Sequence, residues 1–151
     1  MSVVGGSGKK GTPSARAKAR AFALQALYQA LVGHQNSHEA AQYTAGLAGF
    51  HKADAEHFEA LVHGCLAQRD ALDDALRPHL DRPIAEVSPI EHAVLWIGVF
   101  ELTHLLEVPR RVVLNECIEL AKSFGGTDGH RFINGVLHPL AQNLRPLETS
   151  T

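Results

Sequence analysis

The chain has 151 residues carrying 14 basic and 16 acidic side chains, a length that fits one domain able to close a hydrophobic core without metal or disulfide staples. Its two cysteines, Cys65 and Cys117, form no Cys-x-x-Cys motif and follow no export signal, which points to buried thiols in a reducing cytoplasm. The longest apolar stretch, Ala93 to Phe100, is far short of the roughly 20 residues that cross a membrane, so a soluble protein with no membrane partner is expected.

Charge is placed unevenly from the start of the chain. Lys9, Lys10, Arg16, Lys18 and Arg20 all precede the first acidic residue, Glu39, which leaves nine basic against 16 acidic residues in the remainder. A compact cationic segment releases counterions when it meets a polyphosphate, whatever the overall charge, and nucleic acid is the first candidate partner. A terminus kept soluble by a few lysines and arginines is the alternative. Residues 1–13, rich in glycine, read as a flexible basic extension, and residues 14–147 as the folded domain.

Ser14 follows Pro13 as an N-cap, and from Ala19 the small or apolar positions 19, 22, 23, 26, 27, 30 and 31 form one helical stripe. At about 100° per residue, Arg16 and Arg20 fall on one edge of that stripe while Lys18 points nearly opposite. Leu24, Tyr28 and Leu31 widen the apolar arc, as suits a helix at the centre of a bundle or one that meets a partner. Gly33 closes this helix, and an alanine-rich helical segment follows over roughly Glu39 to Gly49. Asp54 then opens a helix through Phe58, Leu61, Val62, Cys65 and Leu66 that continues past Leu72 and Leu76 to Pro78.

After the loop Asp81 to Val87, Ser88-Pro89-Ile90-Glu91 is the clearest helix start in the chain: an N-cap serine, proline at the first position and glutamate three after the cap. The run that follows is apolar all round and belongs at the centre of a domain. Pro109 begins the next helix, with Val113, Cys117, Leu120, Ala121 and Phe124 as its buried stripe and Gly125-Gly126 as its stop. Asp128 caps a last helix through Phe132, Ile133, Val136 and Leu137, which Pro139 is expected to kink or end. No strand pattern survives, and the reading is all-α, about seven helices with short connections.

Ten histidines raise the question of a metal, but there is no His-Glu-x-x-His, and the helical pair His34 and His38 straddles a helix end. No nucleophile elbow, phosphate-cradling lysine loop or dinucleotide fingerprint is present, and Glu116 with Glu119 reads as a solvated face. Neither catalytic residues, metal nor cofactor are expected. Asp128-Gly-His-Arg131-Phe132 is different. It puts a cation, an aromatic ring and free backbone donors at a helix N-terminus, a mixture suited to single-stranded RNA. Phe132 also fits a core stripe with Val136.

Three segments carry a family resemblance: Ala15-Arg-Ala-Lys-Ala-Arg20 with Ala23-Leu-Gln-Ala-Leu-Tyr28, then Ser88-Pro-Ile-Glu-His-Ala-Val-Leu-Trp-Ile, then Asn115-Glu-Cys-Ile-Glu-Leu-Ala-Lys-Ser-Phe-Gly-Gly followed by Arg131-Phe-Ile-Asn-Gly-Val-Leu. In this order they resemble the NusB family of transcription antitermination factors over nearly the whole chain. The resemblance implies two packed three-helix bundles and a non-catalytic protein that pairs with ribosomal protein S10. The pair would bind boxA RNA in ribosomal RNA operon transcripts and join other antitermination factors on RNA polymerase. By the same resemblance Arg16, Lys18, Arg20, Arg131 and Phe132 are RNA-binding, Tyr28 and Glu91 face S10, and Asp128 tunes affinity between the components. The chain departs from the family pattern in alternating alanine with charge in its arm and in carrying Pro139. A ribosomal RNA methyltransferase built on the same module would need far more chain and a Gly-rich cofactor loop. The remaining alternative is a structural helical adaptor or homodimer without specific RNA binding, since the apolar patch around Tyr28 suits S10 or a second copy.

Overall fold

A computed structural model of the protein describes residues 11–148. Lys9, Lys10 and the rest of the extension through residue 10 lie outside the described residues. Among the described residues there are seven α-helices and no strand, and the chain divides into two units, Met1–Ala67 and Gln68–Thr151.

Unit 1 is a three-helix bundle of α1 (Pro13–Gly33), α2 (Ser37–Ala45) and α3 (Ala55–Ala67), each packed on the other two. α1 has Ala15, Ala19, Ala23, Ala26 and Ala30 buried, and such small side chains let its neighbours approach closely. Leu24 and Leu27 fill the core beside them. Phe50 bridges Phe22 and Phe58 edge-to-face, with ring centroids 5.2 and 4.8 Å apart. The cap of α1 is Thr12 rather than the expected Ser14: the Ala15 N–H donates to Thr12 Oγ1 at 3.0 Å, with Pro13 in the first turn. α2 starts earlier than expected, on a capping box between Asn36 and Glu39.

The helix expected to run from Asp54 to Pro78 is interrupted at Gln68, where unit 1 ends and α4 (Arg69–Leu76) follows. Periodicity conceals this break. Cys65 and Leu72 are two helical turns apart, so the apolar stripe stays in phase across it. In unit 2, Asp73 of α4 accepts hydrogen bonds at 2.8 Å from the Trp96 indole N–H and from His92 Nε2, both on α5 (Pro89–His104). α5 is buried on every side from Ala93 to Leu102, with α4, α6 (Arg110–Phe124) and α7 (Gly129–Leu144) packed around it. A Cβ at Gly98 would stand 2.6 Å from Leu137 Cδ1, so the Leu137 side chain of α7 packs directly on the α5 backbone there.

One expectation fails in this unit and another is narrowed. Phe124, assigned to the buried stripe of α6, is 42 % exposed at the last residue of that helix. Pro139 does not end α7, which continues to Leu144. The carbonyl that loses its partner belongs to Gly135, an exposed residue where water can satisfy it, and a glycine backbone can yield to the proline ring.

Arg145, just past α7 and 7 % exposed, closes the unit. Its guanidinium donates to the carbonyls of Glu101 (2.9 Å), Leu102 (3.0 Å), Leu105 (3.3 Å) and Val108 (2.6 Å), and to Glu148 Oε1 (3.0 Å). The four carbonyls lie at and just beyond the C-terminus of α5, the negative pole of its dipole, and those of Glu101 and Leu105 also accept from the N–H groups of Leu105 and Val108 at 3.0 and 2.9 Å. Arg145→Met should therefore destabilise unit 2 by about 3 kcal/mol, because the Leu102 and Val108 carbonyls lose the guanidinium donor together and those of Glu101 and Leu105 lose one donor of two. Arg145→Lys, which keeps the charge, should recover part of the loss in a urea titration followed by circular dichroism.

Candidate nucleic-acid interface

The sequence-predicted cations of unit 1 lie on the first turns of α1 and differ sharply in their surroundings. Lys18 is exposed and donates from Nζ to Ser14 Oγ at 3.0 Å. Arg16 is half-buried, its Nε 3.5 Å from Asp54 Oδ2. Arg20 is 2 % exposed, and a guanidinium so enclosed is not presented to solvent. Tyr28, further along the same helix, is half-buried.

Asp54 organises this end of the bundle. It caps α3 by accepting from the His57 N–H at 3.1 Å, it accepts from the Gly11 N–H at 2.9 Å, and its own N–H donates to the Ala15 carbonyl at 3.0 Å. Burial pushes its carboxyl up, but the His57 and Gly11 hydrogen bonds, with the charges of His57 and Arg16, outweigh that and hold it below the usual aspartate range.

In unit 2 the predicted residues Glu91, Asp128, Arg131 and Phe132 line one open cleft of about 430 Å³. Glu91 enters it from the first turn of α5, where its N–H is held by Ser88 Oγ at 3.2 Å. Gly129, the first residue of α7, is buried, and a Cβ there would stand 2.8 Å from Glu91 Oε2, so the carboxylate packs against its bare backbone. Arg131 stands at the rim, largely exposed, with Nη1 3.9 Å from Asp128 Oδ1. Phe132 is half-buried, one position off the buried stripe of Ile133, Val136, Leu137, Leu140 and Ala141.

The free backbone donors expected at this helix start are largely occupied. The Gly129 N–H donates to the Gly126 carbonyl at 3.1 Å, and those of Arg131 and Phe132 donate to the Asp128 carbonyl at 3.1 and 3.3 Å. Asp128 precedes α7 but its side chain caps nothing. The cleft also contains a pair that sequence reasoning missed. Arg82 hydrogen-bonds Asp81 at 2.7 and 3.3 Å and lies over the Phe132 ring, 4.3 Å from its centroid. Nothing in the spacing of residues 82 and 132 could reveal that pairing; only the packing of the loop on α7 does.

Three carboxylates, from Asp81, Glu91 and Asp128, thus line the cleft with two guanidiniums, from Arg82 and Arg131. Its interior disfavours phosphate, whereas an aromatic ring, a planar cation and acceptor oxygens suit a nucleobase. Among the described residues no group of three or more His, Cys, Asp or Glu is placed to hold a metal, and no helix is long and apolar enough to cross a membrane.

Comparison with known proteins bears on both parts. Residues 17–142 match the model of the NusB family. The chain is 56 % identical over 145 residues to the transcription antitermination protein NusB of Acidovorax sp. (strain JS42), covering 96 % of this chain and 82 % of that protein. It is 59 % identical over 143 residues to the NusB of Variovorax paradoxus (strain S110), covering 95 % and 79 %. To the NusB of Burkholderia lata it is 51 % identical over 136 residues, covering 90 % and 94 %.

The lowered Asp54 carboxyl makes a prediction about acid. A depressed folded pKa contributes stability that is complete above the unfolded value, about pH 4, and is lost as pH falls through the folded value. Asp54→Asn keeps a capping side chain but not the charge. Its stability deficit against the parent, from urea midpoints, should be full at pH 5 and shrink as pH falls below 4. A deficit that grew on acidification would refute the assignment.

Proposed function

Because the chain belongs to the NusB family of transcription antitermination proteins, we propose that it is a non-catalytic adaptor that binds boxA RNA of ribosomal RNA operon transcripts together with ribosomal protein S10. The observation that carries the RNA reading is the position of Phe132, off the core stripe and on the wall of an open cleft with Arg131 at its rim. Lys18 and Arg16 contribute phosphate contacts from α1, and Arg131 contributes one from unit 2. Arg20, enclosed in the bundle, supports the arm from within and must be uncovered before it meets phosphate. Tyr28 and Glu91 face S10, and Asp128 sets the balance of affinity between components. The assembled complex then engages other antitermination factors and RNA polymerase in the cytoplasm.

Titrating labelled boxA RNA and a scrambled RNA, with and without S10, tests this reading. Each phosphate contact on single-stranded RNA lowers log K by about 0.7 per decade of salt, so removing Lys18 and Arg131 together should flatten the slope by about 1.4 and weaken both RNAs alike. Phe132→Ala should instead narrow the gap between boxA and the scrambled RNA. Affinity independent of salt and of sequence would leave only the structural-adaptor reading.

A further inference from the structure

Arg82 changes which group a base would meet in the cleft. Its guanidinium covers one face of Phe132 at 4.3 Å, so that face of the ring is closed to a second stacking partner. The guanidinium is held in place. Asp81 grips it through two hydrogen bonds, and Pro83 restricts the backbone of Arg82 to extended conformations. With 38 % of its side chain exposed, Arg82 keeps accessible surface beyond the ring. A planar, weakly hydrated guanidinium can stack on an aromatic ring on one side and a nucleobase on the other. A lysine ammonium has no plane and cannot.

We propose that Arg82 is a base-stacking residue of the RNA site: Phe132 orients the guanidinium from one side, and one unpaired RNA base stacks on the other. Phe132 is then a positioning residue, acting through Arg82. The carboxylates that line the cleft disfavour phosphate there, which leaves the guanidinium face to a base. This assignment rests on the RNA reading above and concerns the same cleft.

The test measures boxA and scrambled RNA affinity with S10 present, over a salt series, for the parent, Arg82→Ala, Arg82→Lys, Phe132→Ala and the double variant R82A/F132A. Arg82→Ala and Arg82→Lys should each lose about tenfold on boxA, the size of one stacking contact, with the salt slope unchanged. The double variant should bind no worse than Arg82→Ala, since the ring acts through the guanidinium. Parent-like affinity in Arg82→Lys, or a slope lower by about 0.7, would make Arg82 a phosphate contact and overturn the proposal. Tighter binding by Arg82→Ala would overturn it too, because the guanidinium would then merely obstruct the ring. A parent that binds no RNA would instead sink the RNA reading itself, an outcome distinct from a binding parent matched by its lysine variant.

Discussion

The seating of α7 along α5 is the constraint on which the rest of unit 2 depends. A helix buried on every side must be covered all round, and α7 covers its share of α5 through contacts of three different kinds. Glu91 lies against the bare backbone of Gly129, Leu137 fills the space left at Gly98, and Arg145 reaches the carbonyls of Glu101 and Leu102. These pairs advance in the same direction along both helices, so α5 and α7 run parallel. A shift of α7 by one turn would take Gly129 away from Glu91, change the side chain that fills the space at Gly98 and carry Arg145 off the end of α5, which fixes the register strongly.

That register determines the character of the cleft. With Ile133 committed to the core, Phe132 falls about 100° round the helix, at the edge of the buried stripe. Asp73 ties α4 to α5 through Trp96 and His92, and the short helical turn Arg77–His79 packs on α7, so the segment joining α4 to α5 begins beside the helix that carries Phe132. Arg82 reaches the ring as a consequence of those anchors. The base-sized cleft is thus a by-product of how three helices and one loop share a core.

Much of this was legible in the sequence where a local signal has one physical meaning. Ser88-Pro89-Ile90-Glu91 could only start a helix, and the apolar run after it could then only be central. The Asn36 capping box is equally present, yet the periodicity places the start of α2 at Glu39, two residues late, because this alanine-rich helix has little apolar contrast to frame it. The break at Gln68 was not legible, since an apolar stripe in phase on both sides of it looks like one helix. Nor was Pro139 decisive: proline's cost in a helix depends on what stands four residues before it, and here that is an exposed glycine. At the site, Phe132 and Arg131 were identified from a motif, whereas Arg82 depends on contact across fifty residues of chain and leaves no local trace.

The basic start of the chain is the instructive case, because formal charge overstates what it can offer a polyanion. Of its described cations, Arg20 is enclosed, Arg16 shares Asp54 with the N–H groups of Gly11 and His57, and Lys18 stands in solvent on a neutral hydroxyl. A cation already close to a carboxylate must leave or share it before a phosphate gains the full Coulomb attraction, and a buried one must first be uncovered. Alternating alanine with charge has a structural reason of its own. Ala15, Ala19 and Ala23 lie in the bundle core, so the cations can occupy only the positions between, and the helix face that packing leaves over sets how many of them reach solvent. In this arm the demands of a small-residue core limit the number of cations available to a polyanion, and the count of basic residues in the sequence is an upper bound on it.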